Sequence, residues 1–171
     1  MSGSRVFLRQ IDVATVKRIE ELAEKDFAGE SITLLINCKG GDVYAGLKII
    51  KAISRSKTPF IGHVKKEAGS MAAVILQACH ERVMESDASL HYHYGSWRVS
   101  FLIYFDQKMM KRNTKKAIEL QELLIMPIVR RTGMKKRDVH KLLAEDKKFS
   151  AEACLQRGLI DRIVVPICKA T

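Results

Sequence analysis

The run Ser31 to Ile36, read as Ser-Ile-Thr-Leu-Leu-Ile, constrains the fold of this chain more than any other stretch. It is short, apolar and without alternation, the pattern of a strand covered on both faces, as in a parallel sheet flanked by helices. Val13 to Ala28 comes before it, with Val16, Ile19, Leu22 and Ala23 on one helical side, and Arg5 to Leu8 gives an earlier strand. Strand, helix and strand in that order predict a βαβ unit. The 171 residues, 47% of them hydrophobic, suffice for one well-packed α/β domain and are too few for two, so a single domain over 1–171 is expected.

Several function classes are disfavoured by composition. No apolar run approaches the roughly 20 residues of a membrane span, and the opening Met-Ser-Gly-Ser-Arg lacks the apolar core of a signal peptide, so a soluble cytoplasmic protein with no membrane partner is expected. Cys38, Cys79, Cys154 and Cys168 form no C-x-x-C pair and are expected as buried or incidental thiols in a reducing compartment. The net charge of +11 is concentrated in Lys108 to Lys116 and Lys135 to Arg137, both with helical patterning. No aromatic residues are interleaved with those charges, so solvated helix faces are expected rather than a nucleic-acid surface.

Two turns carry the chemistry. Asn37-Cys38-Lys39-Gly40-Gly41-Asp42-Val43 links the buried strand to a helix over Tyr44 to Ser54. Paired glycines there allow positive φ and an uncovered N–H, so the backbone itself can approach a ligand oxygen. The Walker and dinucleotide patterns both fail on this turn, which leaves a backbone donor site or a plain tight turn. After Thr58-Pro59, a strand over Phe60 to Val64 leads to Glu67-Ala68-Gly69-Ser70-Met71-Ala72-Ala73, and a helix follows over Met71 to Ala78. Ser70 at a strand-to-helix turn is either an N-cap or a nucleophile held beside free helix N–H groups.

Further on, Ser89 to Tyr94 reads as a strand whose His91 and His93 share a face, since the side-chain period of a strand is two. A histidine pair can ligate a metal, but no third ligand of matching type lies nearby in sequence, and neither metal nor cofactor is predicted. From about 99 to 131 the pattern is one long helix with more apolar positions than a core stripe needs, and Pro127 is expected to kink it. Surplus apolar surface on such a helix suggests a subunit interface. Lys135 to Leu143 is a further helix, Glu145 to Ser150 a charged loop, Ser150 an N-cap, and Leu159 to Val165 a last strand.

A serine, a strand-end histidine and a later aspartate are the types required for acyl transfer: nucleophile, proton shuttle and orienting carboxylate. The ordered set resembles the ClpP family of serine peptidases. Ile36-Asn37-Cys38-Lys39-Gly40-Gly41-Asp42-Val43-Tyr44-Ala45-Gly46 is similar to that family's Ile-Asn-Ser-Pro-Gly-Gly-Ser-Val-x-Ala-Gly signature, and Ala68-Gly69-Ser70-Met71-Ala72-Ala73 to its nucleophile turn. Phe149-Ser150-Ala151-Glu152-Ala153 and Gly158-Leu159-Ile160-Asp161 resemble its closing motifs. Lys39 and Asp42 depart from it, placing charges where the family has proline and serine, and Tyr94-Gly95 replaces the usual Gln-Pro. The chain opens almost at the first core strand, so most of the family's N-terminal axial segment is not expected.

The resemblance implies an α/β spiral of stacked βαβ units, shared with the crotonases, with a long helix projecting to another subunit. It implies Ser70 as nucleophile, His93 rather than His91 as base, and Asp146 as the orienting carboxylate. Gly41 and Met71 would give the two oxyanion N–H groups, and Gly40 and Val43 would line the substrate strand. The implied activity is serine endopeptidase action on peptides or unfolded proteins inside a homo-oligomeric chamber of stacked rings, self-standing or served by an AAA+ ATPase. General-base catalysis by histidine further implies a rate that rises with pH across the imidazole range. Two alternatives stand beside it: an inactive structural subunit, motivated by Lys39 and Asp42, and a crotonase-type acyl-CoA enzyme, which would need no Ser-His-Asp set.

Overall fold

The computed structural model describes residues 4–94 and 107–166. Strand β1 (Arg5–Leu8), helix α1 (Val13–Ala23) and strand β2 (Ile32–Cys38) form the expected first βαβ unit, with β1 parallel to β2 and Leu8 opposite Ile36. Asp12 accepts from the Thr15 amide at 2.8 Å and fixes the start of α1. The unit repeats with α2 (Val43–Arg55) and β3 (Phe60–Gly69), then with α3 (Met71–Leu76) and β4 (Glu81–Glu85), every strand parallel to the one before. The order along the sheet is β1, β2, β3, β4 and then β7 (Arg162–Val164), which pairs parallel with β4.

The expected burial of β2 on both faces holds in part. Ile32, Leu34 and Ile36 are fully buried, while Thr33 and Leu35 on the other face are half-covered and Phe7 of β1 is 56% exposed. One face of the sheet is thus a continuous core and the other is open at the β1 end. Each aliphatic side chain removed from water on the closed face contributes on the order of 1.5–3 kcal/mol, so that face dominates the stability.

The site is built by an asymmetry of β3. This strand has ten residues, and its first half pairs with β4 whereas its last three, Glu67, Ala68 and Gly69, pair parallel with β5 (Ser89–His91). Beyond β5 lies β6 (Lys148–Ser150), antiparallel, with His91 opposite Lys148. The expected loop over Glu145 to Ser150 therefore ends in a strand: three residues suffice because Phe149 between them is buried and β5 offers a free edge. Helix α6 (Ala151–Gln156) follows, capped as expected by Ser150, whose Oγ accepts from the Ala153 amide at 3.3 Å.

Helices α4 (Gln107–Thr132) and α5 (Lys136–Ala144) complete the layer, α4 packing on α3 and α5 on α4. The predicted helix over 99–131 has residues 99–106 outside the described part, and its remainder continues through Pro127 to Thr132. Ile125 and Ile128 of α4 are 1% exposed, while Ile118 and Leu123 are more than half exposed. Three of the four thiols, Cys38, Cys79 and Cys154, are buried and free, and Cys168 lies outside the described residues. Burial pushes the Cys79 and Cys154 thiols up to about 12, well away from reactive thiolates.

Candidate active site

Ser70 stands where β3 turns into α3, with φ +50° and ψ −123°, a region that L-residues seldom occupy. Holding a non-glycine residue there costs about 1–3 kcal/mol and requires support from the surroundings. Here the Ser70 amide donates to the His91 carbonyl at 2.7 Å, so β5 clamps the elbow from one side. The plain N-cap alternative loses its basis, because the Ser70 side chain makes no capping hydrogen bond. Its hydroxyl is left free of the helix and lines a cavity together with Met71, Val43 and His93.

The glycine pair closes on this elbow from the other side. Gly40 has φ +117°, and a Cβ built on it would meet the Ser70 Cβ at 2.8 Å and the Met71 nitrogen at 3.4 Å. A Cβ on Gly69 would stand 2.7 Å from the Lys39 carbonyl oxygen. The turn 39–41 and the turn 69–71 are therefore backbone against backbone, and neither has room for a side chain at these points. Gly41 packs on Ile11, and Val43 opens α2 at the rim of the cavity. Met71 directs its side chain onto Gly46 of α2 and leaves its amide at the start of a helix, where N–H groups lack an intrahelical acceptor.

The two charges that set this turn apart have local explanations. Asp42 is the N-cap of α2 and accepts from the Ala45 amide at 2.7 Å, so its charge is spent on the helix end. The Lys39 side chain is exposed, and its backbone makes the contact with Gly69. Below the turn, Cys38 Sγ lies 3.4 Å from the Gly40 amide, and burial raises its thiol even though a hydrogen bond with Gly40 opposes the shift.

The expected strand over Ser89 to Tyr94 ends at His91, with His93 just beyond it, yet the two rings still stack, with centroids 5.1 Å apart and an interplanar angle of 29°. Their partners differ. His93 Nδ1–H donates to the Tyr94 carbonyl at 2.7 Å, which fixes a tautomer whose Nε2 is free to accept a proton. Asp146, at φ +43°, places Oδ1 2.9 Å from His91 Nε2. Among the described residues, no hydrogen bond joins His93 to Ser70 or to Asp146. Ser70, Gly40, Met71, Val43 and His93 are thus brought together, and Asp146 is drawn to the neighbouring histidine.

Other residues hold this arrangement without a sequence signal that names them as a set. The Tyr94 hydroxyl sits 3.0 Å from His140 Nδ1 and 3.2 Å from the His140 carbonyl, tying the segment after His93 to α5. Tyr92, buried between the histidines, donates to the Ala73 carbonyl at 3.3 Å and accepts from Gln77 Nε2 at 2.9 Å. Gln77 Oε1 in turn accepts from Arg82 Nη1 at 2.7 Å, and Arg82 is paired with Asp161. Burial pushes the Tyr92 phenol far above its usual range, so it stays a neutral strut for α3.

The family model described as Clp protease matches residues 8–166 of this chain. The ATP-dependent Clp protease proteolytic subunit of Deinococcus radiodurans is 26% identical over 137 residues, covering 79% of this chain and 65% of that protein, just under two thirds of its length. No described helix is long and apolar enough to cross a membrane. With a family match over nearly all the described residues and a mixed α/β, mostly parallel sheet of the kind that the resemblance implied, the chain belongs to the Clp protease family.

Proposed function

We propose that this chain is a serine endopeptidase in which Ser70 attacks the peptide carbonyl, His93 Nε2 takes the serine proton and returns it to the leaving amine, and Asp146 supports the imidazolium. The amides of Gly41 and Met71 are the donors for the tetrahedral oxyanion, and Gly40 and Val43 border the substrate strand. The observation that carries this reading is the uncapped Ser70 in a strained elbow, in contact with the Gly40 turn. Strain supported from both sides, with a free hydroxyl beside a histidine whose Nε2 can accept, is the arrangement an acyl-transfer nucleophile needs. A crotonase-type reading gains nothing from His93.

The substrates are peptides or unfolded chains, and the working form is a homo-oligomer of stacked rings. Exposed Ile118 and Leu123 on α4 support a contact between copies through that helix. An ATPase partner is proposed from the relative's name alone. A non-hydrolytic subunit is the second reading, favoured by the His91–Asp146 pair.

The test is labelling by a fluorophosphonate probe with mass mapping of the adduct, run beside Ser70→Ala and His93→Ala. Labelling at Ser70 that His93→Ala slows about 10²-fold or more supports the peptidase. An assembled wild-type protein that takes no label sinks it in favour of the second reading.

A further inference from the structure

We propose that His91 is a positioning residue that competes with His93 for Asp146, so that the chain rests with its orienting carboxylate held on the neighbouring imidazole and gains its working triad when that carboxylate passes to His93. This rests on the peptidase reading above. The juxtaposition behind it is direct: the His91 and His93 rings are stacked at 5.1 Å, and Asp146 Oδ1 is 2.9 Å from His91 Nε2.

Asp146 has no other hydrogen-bond partner among the described residues to hold it there. The adjacent cations are engaged elsewhere: Lys147 pairs with Glu145, and Lys148, opposite His91 across the β5–β6 pair, reaches Glu67 at 3.0 Å. His91 is itself fixed, because its carbonyl holds the Ser70 amide and its strand lies beside Gly69. The carboxylate is 67% exposed and on a loop, so it is the member of the pair free to move. His93 meanwhile keeps its accepting Nε2 through the Tyr94 carbonyl, a weaker support for an imidazolium than a carboxylate is. A ring at position 91 that hydrogen-bonds Asp146 therefore slows the step in which His93 becomes charged.

The consequence is a gain of function on losing a side chain, which a merely structural role would not produce. The experiment measures the fluorophosphonate labelling rate of Ser70 in assembled wild type, His91→Met, His91→Phe, His91→Gln and His91→Met/Asp146→Asn. His91→Met, and His91→Phe, which keeps the stacked ring, should label roughly two- to fivefold faster than wild type, the scale of one solvent-accessible side-chain hydrogen bond. His91→Gln, which can still donate to Asp146, should stay near the wild-type rate. In the Asp146→Asn background the gain should vanish.

Equal or slower labelling in both folded His91→Met and His91→Phe overturns the inference, as does a gain that persists with Asp146→Asn or appears equally in His91→Gln. Should one apolar variant fail to assemble, the other carries the comparison. No labelling in any of the proteins overturns the peptidase reading and this inference together, whereas labelling at one common rate overturns the inference alone.

Discussion

A Cβ on Gly40 would lie 2.8 Å from the Cβ of Ser70, nearer than two such carbons can approach. The first glycine of the turn is therefore the surface against which the serine elbow is formed. Gly40→Ala must open that contact and also hold an L-residue at φ +117°, where a side chain is strained. We expect a loss of about 1–3 kcal/mol in urea unfolding. Probe labelling at Ser70 should fall about 10²-fold or more, because the donors around the oxyanion would shift with the turn. A variant that labels at the wild-type rate would show that the two turns work independently.

Asp42 offers a second test, since it stands where the resemblance places a serine. Its carboxylate caps α2 through the Ala45 amide at 2.7 Å. Asp42→Ala should cost roughly 0.5–2 kcal/mol, and Asp42→Ser should restore most of that because its hydroxyl can cap the same amide. Both variants should keep Ser70 labelling within a few-fold of wild type. A large rise in labelling with Asp42→Ser would mean that the carboxylate acts on the oxyanion through charge, against the capping role.

What was legible in the sequence was what neighbours in the chain decide. The apolar run of β2, the glycine pair and the strand-turn-helix at Ser70 each announce themselves within ten residues. The Asp146 partnership does not, for it spans 55 residues and two histidines present the same face. Periodicity cannot choose between them; the antiparallel pairing of β6 with β5 does, by setting Lys148 against His91 and bringing the 145–147 loop beside that ring. The strand β6 itself was hidden among charges because its pairing partner is remote. Likewise Gln77 and Arg82 carry no local mark, although an arginine opening the apolar run Val83-Met84 signals a buried partner, here Asp161.

His63 predicts a pH dependence of stability. Its Nε2 is buried without a hydrogen-bond partner, 3.7 Å from Glu85, whose carboxylate is taken by Lys65. Desolvation, and then the Lys65 charge, lower its pKa from the ordinary 6.5, while Glu85 opposes them. With the folded value depressed, the contribution is complete above the unfolded value and is lost as pH falls below it. Wild-type stability should thus decline as pH falls below about 6.5, and His63→Leu should flatten that decline. An identical decline in His63→Leu, followed by chemical denaturation at each pH, would exclude His63 as its source.

Arg82 and Asp161 set the acid end of the same curve. Arg82 is 3% exposed and sends its side chain to both carboxylate oxygens of Asp161, to Gln77 Oε1 and to the Gly158 carbonyl. Burial alone would raise the Asp161 carboxyl, but the hydrogen bonds and charge of Arg82, helped by Arg131, outweigh it and hold the group at about 2. The sign is that of a depressed acid: its contribution is present above the unfolded value near 4 and is lost as pH falls from there toward 2. Arg82→Met leaves the Gln77 oxygen and the Gly158 carbonyl without their donor. It should cost roughly 3 kcal/mol at neutral pH, a large fraction of a typical domain's stability. It should also shrink the loss between about pH 4 and 2, since Asp161 would keep only the residue-82 backbone amide at 2.8 Å and Arg131 at 3.0 Å. The strut from Arg82 through Gln77 and Tyr92 ends on Ala73, one turn from Ser70, so labelling should slow in the variant even at temperatures where it stays folded. Acid limbs of equal depth in the two proteins would instead assign the depressed carboxyl to the residue-82 backbone amide and Arg131.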